Sequence, residues 1–231
     1  MFIPDSQEGL KEVRSLRNDE FCATITKTCA FYEYYPCPDR DDEKEKCNMN
    51  YATIKNCDIA NGPGVRVSLF VSGCTHRCPG CFNEVAWDFD YGQPFTQETI
   101  DTILNMLAPN HVKGLTLLGG EPFEPQNQPA IVELLRQVKA KYPNKSIWAF
   151  SGYLFDRDIL AKKLGPWEIT EEYLSYLDVL VDGPFVEAKK NLSLRFRGSE
   201  NQRLINVPAS LEQGEVVLWT DWQAEGKGLR K

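Results

Sequence analysis

The chain of 231 residues has no cysteine beyond Cys81 and only two histidines, His76 and His111. It has no uninterrupted apolar run of about 18 residues, so nothing in it is expected to span a membrane as a helix. Positive charge is also in short supply. The formal net charge is -7, which argues against a nucleic-acid or anionic-membrane partner, because both need clustered lysine and arginine. The opening "MFIPDSQEGLKEVRSLRNDE" is charged throughout and lacks an apolar h-region, so no secretory signal is expected. These absences read as a cytoplasmic protein. In that compartment thiols stay reduced, and clustered cysteines serve metals or catalysis more often than disulfides.

What is present is an ordinary globular composition, 42% hydrophobic and 26% charged. The length suits one domain with an appendage. Residues 1–48 carry Cys22, Cys29, Cys37 and Cys47 and the charged run "CPDRDDEKEKC", without a sustained period of 2 or 3.6. Residues 4–20 are expected to form a short polar helix. The four cysteines are separated by six, seven and nine residues, which matches no ferredoxin or zinc-ribbon spacing. This segment reads as an irregular N-terminal appendage, and 49–231 as the compact domain. Cys57, in the opening of that domain, is expected to be a small buried hydrophobe.

From residue 49 the pattern becomes regular. "VRVSLFVS" (65–72) is β-branched and apolar between "NGPG" and Gly73, and predicts a strand. "TQETIDTILNMLA" (96–108) opens on Thr96 as an N-cap and carries Ile100, Ile103, Leu104 and Leu107 as one helical stripe. "GLTLLGG" (114–120) predicts a buried strand. Residues 127–142 repeat the helical stripe with Ile131, Leu134, Leu135 and Val138. Strands are expected at 146–152 and 177–183, helices within 155–164 and at 170–176, and an edge strand at 215–219. Strands alternating with helices imply parallel βαβ units. Four or five units are too few for a closed eight-unit barrel of ~250 residues. The expected fold is therefore α/β, a partial, open (βα) barrel with mainly parallel strands. Each strand ends on a polar or glycine element: Gly73-Cys74, Gly119-Gly120-Glu121, Ser151-Gly152 and Asp182-Gly183. Ligands of parallel α/β folds sit at those ends.

One of these ends holds "SGCTHRCPGCFNEVAW" (72–87), with Cys74, Cys78 and Cys81 spaced C-x3-C-x2-C. A closed zinc site wants four ligands, usually from two knuckles. Here the fourth would be His76, cramped within the same eight residues, or an N-terminal cysteine. A [4Fe–4S] cube has four irons, normally each held by one thiolate. Three thiolates leave one iron open to a substrate or cofactor, and no downstream cysteine followed by proline completes a ferredoxin set. Such a cluster is suited to chemistry rather than to passing electrons alone.

The C-x3-C-x2-C loop after the first strand resembles the signature of the radical S-adenosylmethionine superfamily. The fuller phrase "NGPGVRVSLFVSGCTHRCPGCFNEVAW" is similar to the activating proteins of anaerobic ribonucleoside-triphosphate reductases, and "GLTLLGGEPFEPQN", "IWAFSGY", "LVDGPFV" and "RFRGSENQR" fit that family in order and spacing. The resemblance runs from Met49 to Arg203. It implies that Cys74, Cys78 and Cys81 hold one [4Fe–4S] cluster whose open iron is chelated by the methionine end of S-adenosylmethionine. It implies that Gly119, Gly120 and Glu121 contact the methionine amino end, where glycines admit a close backbone approach and a carboxylate suits an ammonium. Ser151 and Asp182 are further candidates, for the methionine or ribose, against a strand-end ST-turn and an Asp-Gly turn.

Many superfamily members place an aromatic before the last cysteine. Gly80 stands there in this chain, and Phe82 follows the cysteine as in the reductase activators, with adenine or loop packing as its role. Arg66 is read either as paired to a carboxylate near the cluster or as a surface residue, and Trp87 and Phe89 as core or lid aromatics. No side chain is singled out as a catalytic acid, base or nucleophile. The implied substrate is the glycyl-radical subunit of the reductase, with a low-potential donor such as flavodoxin or ferredoxin. A radical enzyme acting on a small molecule, an activase of another glycyl-radical enzyme and a non-catalytic metal module are the alternatives.

Overall fold

The structure, a computed structural model, describes residues 49–220. The expected appendage, its helix at 4–20 and Cys22, Cys29, Cys37 and Cys47 lie outside the described residues. One sheet of seven strands runs through the described part: β1 (Asn50–Asp58), β2 (Val65–Val71), β3 (Gln93–Pro94), β4 (Val112–Gly119), β5 (Ser146–Phe150), β6 (Val179–Asp182) and β7 (Arg203–Asn206). Its order is β3-β1-β2-β4-β5-β6-β7. The central four strands, β2, β4, β5 and β6, pair in parallel. β1 and β3 on one side and β7 on the other pair antiparallel. The sheet is not closed, so the expected open α/β architecture holds with its parallel core, while the barrel is not confirmed.

The parallel strands are buried on both faces; β5 and β6 read as near-continuous apolar runs, whereas β2 alternates, with Arg66 and Ser68 set between Val65, Val67 and Leu69. Val67, Leu69 and Val71 of β2, Leu115 and Leu117 of β4, Ile147 and Ala149 of β5 and Leu180 of β6 point into the main core. Helices α1 (Gln97–Leu107), α2 (Gln128–Lys141) and α3 (Trp167–Tyr176) bring their apolar residues to the same core. In α1 the predicted stripe Ile100, Ile103, Leu104 and Leu107 is buried. The Thr96 N–H donates to Thr99 Oγ1 at 3.2 Å and satisfies a donor at the helix start. In α2, Ile131, Leu134, Leu135 and Val138 are buried as expected. Among the described residues no helix is long and apolar enough to cross a membrane.

The opposite face of the sheet carries Arg66, Ser68, Thr116, Trp148, Val179 and Val181, all buried. Phe196 and Trp219 pack edge-on against Trp148 there, with centroids 5.5 and 5.0 Å away. Arg66 is thus neither a surface residue nor paired to a carboxylate near the cysteines. Its guanidinium donates to Thr116 Oγ1, Ser146 Oγ and the carbonyls of Leu115 and Ser146.

Several local expectations change. The segment 155–164 holds only a π-helical turn, Phe155–Ile159. The Asp158 carboxylate accepts the Leu154 N–H at 3.0 Å and closes the segment locally, and Gly165-Pro166 follows before α3 starts. Residues 215–219 form no strand. They touch β7 through the single bridge between Leu218 and Ile205, with the Asn206 N–H donating to the Val217 carbonyl and the Trp219 N–H to the Leu204 carbonyl. Unforeseen are β1, β7 and a short helix α4 (Val207–Gln213), whose Asn206 side chain accepts the Ala209 N–H at 3.1 Å. Cys57 is exposed on bulged β1 at φ 59, not buried, because that end of the strand faces solvent.

Candidate cluster and cofactor site

The cysteine loop leaves the C-terminal end of β2 and is tied down on both sides. The Gly73 and Cys74 N–H groups donate to the carbonyls of Ala86 and Trp87, in the 3-10 turn Glu84–Trp87. On the other side, Gly120 N–H donates to the Val71 carbonyl and Glu121 N–H to that of Gly73. The end of β4 is thereby stitched to the start of the loop. Gly119 makes this possible at φ 111, and an added Cβ would lie 2.7 Å from Val71 backbone atoms. The Phe89 ring closes over Gly73, against which an added Cβ would come within 2.2 Å of it.

Cys74 is buried, Cys78 and Cys81 are half-buried, and all three are free thiols. Their sulfurs face backbone donors. The N–H groups of His76 and Arg77 point at Cys74, that of Phe185 at Cys78 and that of Asn83 at Cys81 Sγ, the last at 3.4 Å. Burial pushes the Cys74 thiol up to about 12, with the charge of Glu121 adding to it, and burial also raises Cys78. Such thiols yield their protons only to a strong positive centre, and the N–H donors then stabilise the bound thiolates. Among the described residues no three His, Cys, Asp or Glu side chains converge as a single ion requires. Three cysteine sulfurs on one loop, each facing a backbone donor, suit the three thiolate ligands of a cluster. His76 is not gathered in as a fourth ligand; its ring turns to Glu121.

A cleft of about 530 Å³ opens at the C-terminal ends of β2, β4, β5 and β6. Cys74, Cys78 and Cys81 line it together with Gly119, Gly120, Glu121, Ser151 and Phe82. The structure therefore brings eight of the nine candidates to one place. Phe82 is 87% exposed at the rim. Ser151 Oγ accepts the Tyr153 N–H at 3.0 Å, so the residue is a strand-end ST-turn and a cleft residue at once. Asp182 is the one that stands apart. Its carboxylate is buried behind the cleft, accepts the Phe155 N–H at 2.8 Å and is gripped by Arg203 through Nε and Nη2. Arg203 is held well above its usual value by that bond and by a second one to Asp156. The neighbouring Gly183, rather than Asp182, reaches the lining.

Trp87, expected as a core or lid aromatic, lines the cleft with its indole N–H unpaired. Sequence reasoning passed over several other residues of this region. Phe150 and Leu118 form apolar wall, and Lys190 and Arg197 supply positive charge. The second acid of "GGEPFEP", Glu124, accepts from the N–H and Oγ1 of Thr75 in the cysteine loop. His76 lies 3.0 Å from Glu121. The repeated acid and the histidine inside the cysteine motif were the only signals of these two links.

The comparisons with known proteins agree with this geometry. A family model described as a 4Fe-4S single cluster domain matches residues 60–205. The chain is 46% identical over 158 residues to the anaerobic ribonucleoside-triphosphate reductase-activating protein of Enterobacteria phage T4, covering 68% of this chain and 93% of that protein. It is 44% identical over 156 residues to the protein of that name from Escherichia coli K12, covering 67% and 96%. It is 41% identical over 157 residues to the one from Vibrio cholerae, again covering 67% and 96%.

Proposed function

This chain belongs to the family of anaerobic ribonucleoside-triphosphate reductase-activating proteins, and on that premise we propose that it generates a glycyl radical on such a reductase by reductive cleavage of S-adenosylmethionine. The observation that carries the reading is the convergence of Cys74, Cys78 and Cys81 with Gly119, Gly120 and Glu121 on one cleft at the ends of the parallel strands. Cys74, Cys78 and Cys81 would hold a [4Fe–4S] cluster, which would supply the low-potential electron for cleaving the sulfonium to methionine and a 5′-deoxyadenosyl radical, the species that would take a hydrogen atom from the partner's glycine.

The chain's own residues bind, orient and shield. Gly119 and Gly120 let the methionine end come close to the backbone, and Glu121 takes the ammonium. Ser151 offers a hydroxyl to the methionine or ribose, while Asp182, locked to Arg203, acts from behind by holding the β6 end in place. Leu118 and Phe150 keep water from the reacting carbon, and Phe82 at the rim meets adenine. Residues 49–231 form the radical-generating unit and 1–48 an appendage to it. The donor is a flavodoxin or ferredoxin of the cytoplasm. The open sheet leaves one side of the cleft accessible to a loop of the large partner.

Anaerobic incubation of the reconstituted protein with the reductase, S-adenosylmethionine and a strong reductant is expected to give 5′-deoxyadenosine and the EPR doublet of a glycyl radical. Cofactor cleavage with no doublet on the reductase would direct the activity to another substrate. A chain with iron and sulfide that cleaves nothing would overturn the reading.

A further inference from the structure

Glu121 is 1% exposed, a carboxylate shut inside the protein at the wall of the cleft. Its Oε1 accepts the Phe123 N–H at 2.8 Å. Its Oε2 accepts the Gly152 N–H at 2.7 Å and lies 3.0 Å from His76 Nε2. These donors come from three places: the turn after β4, the end of β5 and the cysteine loop after β2. A carboxylate offers about four acceptor positions, so roughly one remains for a ligand in the cleft.

The His76 ring is held as firmly as the carboxylate. Tyr153 packs edge-on against it with centroids 4.3 Å apart. Gly152 makes room for it, since an added Cβ would lie 2.5 Å from its Cδ2 and 2.6 Å from its Nε2. Thr75, the residue before, is fixed by Glu124. A histidine between two candidate cluster ligands is thus turned to Glu121 and built into the support of its carboxylate. The role needs only a proton on Nε2, which neutral imidazole carries as well as the cation does.

We propose that His76 is a positioning residue: it fixes the rotation of the Glu121 carboxylate so that the remaining acceptor position is presented to the ammonium of S-adenosylmethionine, and it couples the cysteine loop to the binding of that group. The proposal rests on the reading of the cleft given above. Without His76, the two backbone donors still hold the carboxylate, but a buried charge has lost a charge-assisted bond and its orientation is no longer unique.

The test uses the full chain, reconstituted anaerobically, as wild type, His76→Phe, His76→Gln and Gly152→Ala. Iron and sulfide per chain report cluster assembly, and S-adenosylmethionine binding is read from its effect on the EPR spectrum of the reduced cluster. Phenylalanine keeps the ring packing and loses the donor, glutamine keeps a donor, and the alanine Cβ displaces the ring without changing its chemistry. Iron and sulfide are expected at the wild-type level in all three variants. Affinity is expected to fall about tenfold in His76→Phe and Gly152→Ala, equivalent to about 1.4 kcal/mol, and to be largely recovered in His76→Gln. In a Glu121→Gln background, His76→Phe should cost little more.

Wild-type affinity in His76→Phe overturns the proposal, and so does an equal loss in His76→Phe and His76→Gln. Failure of all three variants to assemble a cluster overturns it in favour of a role in the loop's fold. A wild-type cluster whose spectrum ignores S-adenosylmethionine sinks the underlying functional reading as well, whereas a wild-type response with His76→Phe unaffected sinks this proposal alone.

Discussion

The guanidinium carbon of Arg66 lies 5.6 Å from the ring centroid of Trp148, so a cation is stacked on an aromatic inside the sheet's second face. Its hydrogen bonds go to neutral oxygens of Thr116, Ser146 and Leu115. Burial pulls Arg66 down to about 10, with Asp178 and Asp58 partly offsetting it, and it stays charged at neutral pH. Removing the side chain strands those buried acceptors and leaves a void beside Trp148. Arg66→Ala is therefore expected to cost about 3 kcal/mol. Arg66→Lys keeps the charge but loses the planar fork and the stacking, and is expected to cost about 1–2 kcal/mol. Urea unfolding of the cluster-free protein measures both. A wild-type midpoint for Arg66→Ala would mean that the bonds to β4 and β5 contribute nothing.

The four described cysteines divide by environment, which gives a prediction with its control built in. Cys74, Cys78 and Cys81 line the cleft and face backbone donors. Cys57 is exposed, with its Sγ 3.7 Å from Asn56 Oδ1. Replacing any of the first three by serine is expected to reduce reconstituted iron and sulfide to a small fraction of wild type. Cys57→Ser should leave both unchanged. Full iron content in Cys81→Ser would point to a ligand from elsewhere in the chain.

The contrast between these cysteines shows what a sequence can and cannot display. The cluster loop and the Gly-Gly-Glu turn are local: their spacing is the chemistry, and they could be read directly. The strand β2 and helices α1 and α2 were legible because their apolar residues follow the period that burial imposes. β1 was not, because it is an edge-side strand with a polar exposed end and two register shifts that break any period of 2. The polar second face of the sheet hid its depth, since Arg66, Ser68 and Thr116 look like surface residues until Trp148 covers them. Asp182 was visible as a strand end, but its partner Arg203 comes 21 residues later. The His76–Glu121 link spans 45 residues, and only the register of β2 beside β4 makes it.

The Asp156–Arg203 pair predicts a pH dependence with a definite sign. Burial alone would raise Asp156, but the hydrogen bond and charge of Arg203 outweigh it and hold the carboxyl below its usual value of 3.8. A carboxylate depressed in the folded state contributes stability above that usual value and loses it as the pH falls through the folded one. The wild-type thermal midpoint should therefore exceed that of Asp156→Asn at neutral pH, with the gap closing in acid. Because both side chains are about one-third exposed, the gap should also shrink with added salt. A gap that is constant from neutral pH into acid would show that the charge of Asp156 is not what matters.

Phe82 yields the sharpest separation between stability and binding. Its side chain is 87% exposed and yet lines the cleft beside Cys81. A phenyl ring left in water contributes little to folding, so Phe82→Ala should change stability by no more than about 0.5 kcal/mol. If the ring meets adenine, its loss removes one aromatic contact of about 0.5–1.5 kcal/mol, a weakening of roughly 2- to 12-fold in S-adenosylmethionine affinity. Phe82→Tyr and Phe82→Trp keep a flat ring and should restore most of it, with iron and sulfide unchanged throughout. Calorimetric midpoints and cofactor titration of the same preparations check both halves. A lower midpoint with unchanged affinity would assign Phe82 to loop packing and leave the adenine without this contact.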